Sequence, residues 1–355
     1  MNKKNFIYTF ALCMAIALPF FTGCKDDDDP TEDPVEPSEY IYVLNSGNSG
    51  SNNASLSMYD VTEGTVTKDI FEVRNGRRLG DTGQDMVLYG SKMYIAVYGE
   101  STIEVTDLDA KSIKQIDTEG QPRCFAVDGG KVYVTYYNGY VARIDTTSLT
   151  VEAKVRVGRN PEQLTVANGK LYVANSGGLD WNTEMGYDNT VSVVNMATFT
   201  ETKKIEVVVN PSNIVSDGNR EIYLVSMGNY GSIPNTLQRI DGQTDEVSVV
   251  TDIEGTMLAN VGSTLYSVFA QWGAPSVLYY SYDMRNKTVL SDNFIGNTEI
   301  SDVYQICTDK TFDDIYITTS DYLNDGDIYV FDKEEKFVTK FEVGLNPIKA
   351  VRVKK

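Results

Sequence analysis

Residues 158–209 decide how this chain is read. They run GRNPEQLTVANGKLYVANSG (158–177), a polar loop, then NTVSVVNMATFTETKKIEVVV (189–209). Four strands in a row are predicted here. Leu164 and Val166 alternate with polar neighbours in the first. Leu171 to Ala174 form the second, Val191 to Asn195 the third, and Lys203 to Val208 the fourth. Asn168-Gly169 is a hairpin signal, because a type I′ turn needs positive φ at both central residues. A four-stranded sheet with two faces to cover must stack on copies of itself.

The copies are in the chain. A turn followed by an apolar–Tyr–apolar run recurs around Tyr42, Tyr94, Tyr133, Tyr172, Tyr223, Tyr266 and Tyr316. The spacings are 52, 39, 39, 51, 43 and 50 residues, the range of four-stranded propeller blades. The lead-in to the first strand repeats as well: GQPRCFAV (120–127), VNPSNIV (209–215) and GLNPIKAV (344–351) match GRNPEQLTV. The first copy begins at its second strand, and the last is followed by a spare first-strand signal, Asn346 to Val351. The expected fold is therefore an all-β, seven-bladed β-propeller, closed by pairing of the C-terminal strand with the first blade. Closure removes the edges on which such sheets aggregate.

Ahead of the repeats, residues 1–23 carry Lys3 and Lys4, an apolar run from Phe6 to Phe21, and small residues before Cys24. This pattern is that of an export signal. Gly23-Cys24 resembles a bacterial lipobox, with Phe21 in place of the usual Leu, and the resemblance implies lipidation of Cys24. Residues 24–39 hold Asp26 to Asp29 and three prolines among carboxylates, as an extended, self-repelling tether does. An acidic run directly after the lipidated cysteine resembles the surface-export signal of Bacteroidetes lipoproteins. The propeller is assigned to residues 40–355.

The chain carries a formal charge of −19; without residues 1–23, 29 basic face 50 acidic residues, or −21. Nucleic-acid binding needs clustered Lys and Arg and is not expected. There is no histidine, which removes the commonest general base and transition-metal ligand. No nucleophile elbow, phosphate loop or CxxC is present. No catalytic residue is assigned and no cofactor is required; an enzyme would ask for paired acids such as Asp180 and Asp188. Cys124 and Cys307 fall on first strands of blades across the channel from one another, so free buried thiols are expected. Asp321, Asp325 and Asp327, around Gly326, offer oxygen ligands for Ca2+ without the spacing or terminal Glu of an EF-hand.

One rim concentrates the remaining chemistry. In a blade, the loop between second and third strands and the lead-in to the next first strand emerge on the same face. The former include Asn45 to Asn48, Tyr98-Gly99, Tyr136-Tyr137-Asn138, Asn175 to Trp181, Met227 to Tyr230 with Asn229, Gln271-Trp272-Gly273 and Asp321-Tyr322. The lead-ins add Arg78, Gln84, Arg123, Gln163, Asn213, Tyr304 and Lys349. Both tryptophans, Trp181 and Trp272, belong to this set. Aromatic faces supply apolar contact at low entropy cost, and the amides bond to the edges of a polar ligand. The ligand-binding residues assigned on this basis are Arg78, Tyr98, Arg123, Tyr136, Tyr137, Gln163, Asn175, Trp181, Asn213, Asn229, Tyr230, Trp272, Tyr304 and Tyr322. The repeat tyrosines are assigned to the core.

Over residues 40–355 the blade pattern resembles the YncE-like seven-bladed propellers. Together with the lipobox, the acidic tether and the opening blade YVLNSGNSGSNNASLSMYD (42–60), it resembles more narrowly the BtuG-like cobalamin-capturing surface lipoproteins of gut Bacteroidetes. That resemblance implies a lipid-anchored propeller on the outer face of the outer membrane. It would bind vitamin B12 and related corrinoids on one face and pass them to a BtuB-type TonB-dependent transporter. A corrinoid, flat and fringed with amides, suits a rim of rings and amides. The competing expectations are a glycan-binding surface lipoprotein, since sugars also stack on Trp and Tyr, and a surface-layer protein with no small-molecule ligand.

Overall fold

The computed structural model describes residues 38–271 and 273–355. The signal peptide, Cys24, most of the tether, and Trp272 lie outside the described residues.

Seven four-stranded antiparallel sheets follow one another along the chain. From blade 2 to blade 7 the first strands are Gly83–Tyr89, Pro122–Asp128, Pro161–Ala167, Pro211–Ser216, Met257–Val261 and Val303–Asp309. Blade 1 takes its first strand from the other end of the chain: Pro347–Lys354 pairs with Glu39–Asn45. Each first strand contacts those of the two adjacent blades, so the seven form a closed ring. The expected fold and its closure are therefore observed. In the seam Tyr40 faces Val353, Tyr42 faces Val351 and Val43 faces Ala350. Glu39 pairs with both Arg352 and Lys354, and Arg352 also reaches Asp314 of blade 7.

Residues 158–209 fold as Pro161–Ala167, Lys170–Asn175, Thr190–Asn195 and Thr200–Glu206. Asn168 and Gly169 take φ of 49° and 70°, as the type I′ turn requires. The fourth strand starts before its apolar pattern does. Thr200 pairs with Asn195 as soon as the chain has reversed, and an outer strand needs no apolar residue there.

Alternation along the second strands places side chains between blades. The repeat tyrosines Tyr42, Tyr94, Tyr172, Tyr223 and Tyr316 are fully buried. Burying a large side chain gives about 1.5–3 kcal/mol, and three of the hydroxyls also staple neighbouring blades. Tyr42 donates to the Leu108 carbonyl, Tyr172 to Gly242 and Tyr223 to Met284. Seven apolar clusters result.

The Asn-Pro lead-in has a conformational reason. Asn160, Asn210 and Asn346 have φ of 45°, 61° and 56°, a left-handed region Asn tolerates better than other side-chain-bearing residues. The reversed backbone lets its carbonyl accept from the loop after the second strand: Ser176 N–H to Asn160, Met227 to Asn210, Ser46 to Asn346. These three rim loops are thus pinned to the start of a channel strand. A short helix, Ile70–Asn75, between blades 1 and 2 was not foreseen; it buries Ile70 and Phe71 against the core.

Candidate functional site

The first strands enclose a central cavity of about 540 Å³. Asp85, Gln163 and Lys349 line it, with the free thiols of Cys124 and Cys307. Burial pushes the Cys307 thiol up to about 11, and raises Cys124 as well. Burial alone would lower Lys349. Asp85, 3.4 Å away, more than offsets this and keeps the ammonium charged. The Asp85 carboxylate also accepts from the Phe125 N–H of the next blade. Gln163 and Asn213 do likewise, accepting from Ile214 and Leu258. These three sit where the ladder slips in register, so their carbonyl or carboxylate oxygens tie consecutive blades. Gln163 and Asn213, expected as ligand contacts, spend their acceptor oxygens on the ring.

Above the cavity the structure brings three predicted residues together. The Arg123 guanidinium lies 4.7 Å from the ring centre of Tyr137 and 5.5 Å from that of Tyr98. The two rings meet edge to face, 6.0 Å apart. Arg123 also pairs with Glu162 of the following blade and donates to Gln84 of the preceding one at 2.9 Å. Burial would lower its pKa, but Glu162 raises it further, so the cation is permanent. Burial, then Glu162, pushes the Tyr137 hydroxyl up to about 12, leaving it a neutral donor. Ser176 donates to the other Glu162 oxygen at 3.1 Å. Glu162 was missed in the sequence, although it occupies in Pro161-Glu162 the place Arg123 has in Pro122-Arg123.

From this cluster the rim continues into blades 4 and 5. A Cβ on Gly178 would stand 2.9 Å from the Tyr137 hydroxyl, so the blade 4 loop runs directly beside it. That loop exposes Trp181 (62%), with Leu179 and Met185. Its Tyr187 meets Tyr230 of blade 5 edge to face at 6.3 Å. Tyr230 is 72% exposed, with Ile233 beside it in the same loop. In blade 7, Tyr304 and Tyr322 form a third edge-to-face pair at 5.6 Å. Tyr230 and Tyr322 have φ of 55° and 64°, a conformation that costs a bulky residue of order 1 kcal/mol.

Of the other predicted contacts, Tyr136 and Asn175 are buried in the fold, whereas Asn229 and Arg78 are exposed. Tyr136 is the last residue of a strand, Lys131–Tyr136, on the face of Val132 and Val134; it is sealed between blades 2 and 3. Asn175 is fully buried. Its amide donates to Thr190 and Ser192 and accepts from the Gly158 N–H, and Asn45 does the same with Ser55, Ser57 and Gly344. Both are structural. Asn229 is exposed, but its oxygen takes the Gly231 and Ile233 N–H groups of its own loop. Arg78 is exposed between blades 1 and 2, donating to the Asn52 carbonyl at 3.2 Å.

The three aspartates assigned to Ca2+ do not converge. Asp325 pairs with Lys68, Asp327 with Lys340, and Asp321 caps Leu323 and Asn324. Among the described residues no trio of acidic, His or Cys side chains is grouped as a metal site. Asp180 and Asp188, named in the sequence as the paired acids an enzyme would ask for, both hold Arg159.

Fold and rim define a closed seven-bladed β-propeller with an aromatic, cation-bearing mouth. The chain belongs to the family described as a domain of unknown function (DUF5074), whose profile matches residues 39–319. No curated protein matches it. Among solved structures it is similar to a quinoprotein alcohol dehydrogenase-like protein from Bacteroides thetaiotaomicron, with a TM-score of 0.60 and 14% identity. That match covers 88% of this chain and 77% of the other. It is also similar to the hydrazine synthase of Kuenenia stuttgartiensis, with a TM-score of 0.58 and 14% identity over 78% and 89% of the two chains. At such identity these likenesses bear on the fold.

Proposed function

We propose that this propeller captures a corrinoid, without chemistry, on the face that carries Arg123, Tyr98, Tyr137, Trp181 and Tyr230. The observation that supports this reading is the aromatic rim, anchored at the mouth by a buried-edge cation and continued outward by exposed rings. The central cavity, at about 540 Å³, suits at most a small molecule, so a macrocycle would lie across the mouth. There Arg123 and neutral Tyr137 would donate to amide arms, and the rings of Trp181 and Tyr230 would cover apolar edges. The sequence resemblance to BtuG-like lipoproteins supplies the ligand, the outer-membrane surface anchor through Cys24, and a TonB-dependent transporter as receiver. An exposed ligand face also suits hand-over, because the cargo leaves by the side it entered.

Isothermal titration of the mature domain with cyanocobalamin, beside a panel of neutral glycans, tests the proposal. Saturable one-to-one binding of the corrinoid is expected. Trp181→Ala should raise the dissociation rate about tenfold, as loss of one hot-spot ring does. Heat from a glycan and none from the corrinoid would replace the proposal with carbohydrate capture.

A further inference from the structure

A second cavity, of about 410 Å³, opens on the same face between blades 3 and 4. Tyr137 of the mouth cluster forms part of its wall, and Asp180, next to Trp181 in sequence, another part. Its charged residues are Arg156, Arg159, Lys204, Asp180 and Asp188. Both aspartates are committed to Arg159, and Asp188 accepts from Asn189 and Thr190 besides. The amides in the wall are committed too. Asn138 donates to the Glu119 carbonyl, and Asn160 donates to Tyr137 and accepts from Leu179. Two cations are left. Among the described residues neither Arg156 nor Lys204 has a carboxylate partner, although the adjacent Lys154 and Lys203 pair with Glu119 and Asp245. Arg156 reaches only the Tyr140 hydroxyl at 3.5 Å and its ring at 5.7 Å. Both side chains are exposed and come from the outer strands of neighbouring blades, Thr150–Arg156 and Thr200–Glu206.

In a chain with 50 acidic residues and a charge of −19, two unspent cations facing one groove are a local reversal of sign. We infer that this groove is an oxyanion subsite. It takes a phosphodiester, sulfate or carboxylate group of a ligand that lies across the rim, between Arg156 and Lys204. Arg offers a planar fork and Lys a mobile point charge, a pair that accommodates a tetrahedral or planar anion without fixed geometry. The inference builds on the proposed ligand face, yet it stands or falls on its own residues. On cobalamin the only such group is the phosphodiester of the nucleotide loop; on a glycan it is a sulfate or uronate.

The test uses the whole mature chain, the double variant Arg156→Ala/Lys204→Ala, and Lys287→Ala as a charge control on another blade. Each is titrated with inorganic phosphate, with cyanocobalamin, with cobinamide (the corrin without its nucleotide loop), and with a sulfated oligosaccharide and its desulfated form. Saturable phosphate binding is expected in wild type and in the control, and is expected to be lost in the double variant. If cyanocobalamin binds, the double variant should weaken it about tenfold or more and leave cobinamide unchanged. Equal weakening of the sulfated sugar alone assigns the anion to a glycan. Cyanocobalamin, phosphate and the sulfated sugar all bound equally by wild type and double variant overturns the subsite while corrinoid capture stands. If neither corrinoid binds, capture fails and phosphate decides: saturable binding lost in the variant upholds the subsite, and none overturns it.

Discussion

At the scale of single residues, this protein separates amides that build from side chains that face solvent. Asn175 looks like a ligand contact in the sequence, standing at the head of an Asn-Ser-Gly loop. It is instead fully buried, with one hydrogen bond to the lead-in at Gly158 and two to Thr190 and Ser192 of the third strand of blade 4. Asn175→Ala strips the Gly158 N–H and two hydroxyls of their partner at once. Leaving such groups unsatisfied costs about 1–3 kcal/mol each at most, and part is relieved by rotation of the hydroxyls. Urea unfolding should show a loss of about 2–3 kcal/mol, with ligand affinity changed little. A variant as stable as wild type would return Asn175 to the ligand face. Tyr136 and Tyr137 make the same distinction one residue apart. The strand's alternation sends the first inward with Val132 and Val134; the second, past the strand's end, meets Arg123. That alternation was available in the sequence, and the aromatic character of the pair obscured it.

At the scale of elements, the strand Pro347–Lys354 holds the ring shut, and its ion pairs make the seam sensitive to acid. Lys354 and then Arg352 hold the Glu39 carboxyl below its ordinary value of 4.5, against a smaller cost of burial. A carboxylate whose folded pKa is depressed contributes stability above the unfolded value and loses it as pH falls through the folded one. Asp314, the other partner of Arg352, moves oppositely because its burial outweighs the guanidinium. Glu39→Gln should therefore destabilise the domain at neutral pH, and the difference from wild type should shrink below about pH 4.5. Denaturation midpoints across the acid range measure this; a gap that stays constant down to about pH 3 would contradict it. The elements were the most legible part of the chain. Strand periodicity, the Asn-Gly turn and the displaced first-strand signal near Pro347 each have a local cause that composition reveals. The helix Ile70–Asn75 was not legible, because two apolar residues in a polar loop carry no period. Glu162 was passed over for a different reason. Its partner Arg123 lies 39 residues away, and only the packing of blade 3 against blade 4 makes them neighbours.

At the scale of the whole molecule, the propeller is asymmetric between its faces. One carries turns such as Asp128-Gly129-Gly130 and Asn168-Gly169. The other carries Arg123 with its two tyrosines, the exposed rings of Trp181, Tyr230 and Tyr322, and the groove with Arg156 and Lys204. The candidate site could be read from the sequence as a face, since the order of strands in a blade decides which loops share a rim. Which residues on that face are free was not readable, because it depends on hydrogen bonds between blades. The most direct test of a single capture face is hydrogen–deuterium exchange of the mature chain with and without cyanocobalamin. The account predicts slowed exchange in the loops around residues 98–99, 137–139, 176–189 and 228–235, and unchanged exchange in the turns at 128–130 and 168–169. Protection of those turns instead, or of neither face at saturating ligand, would contradict it.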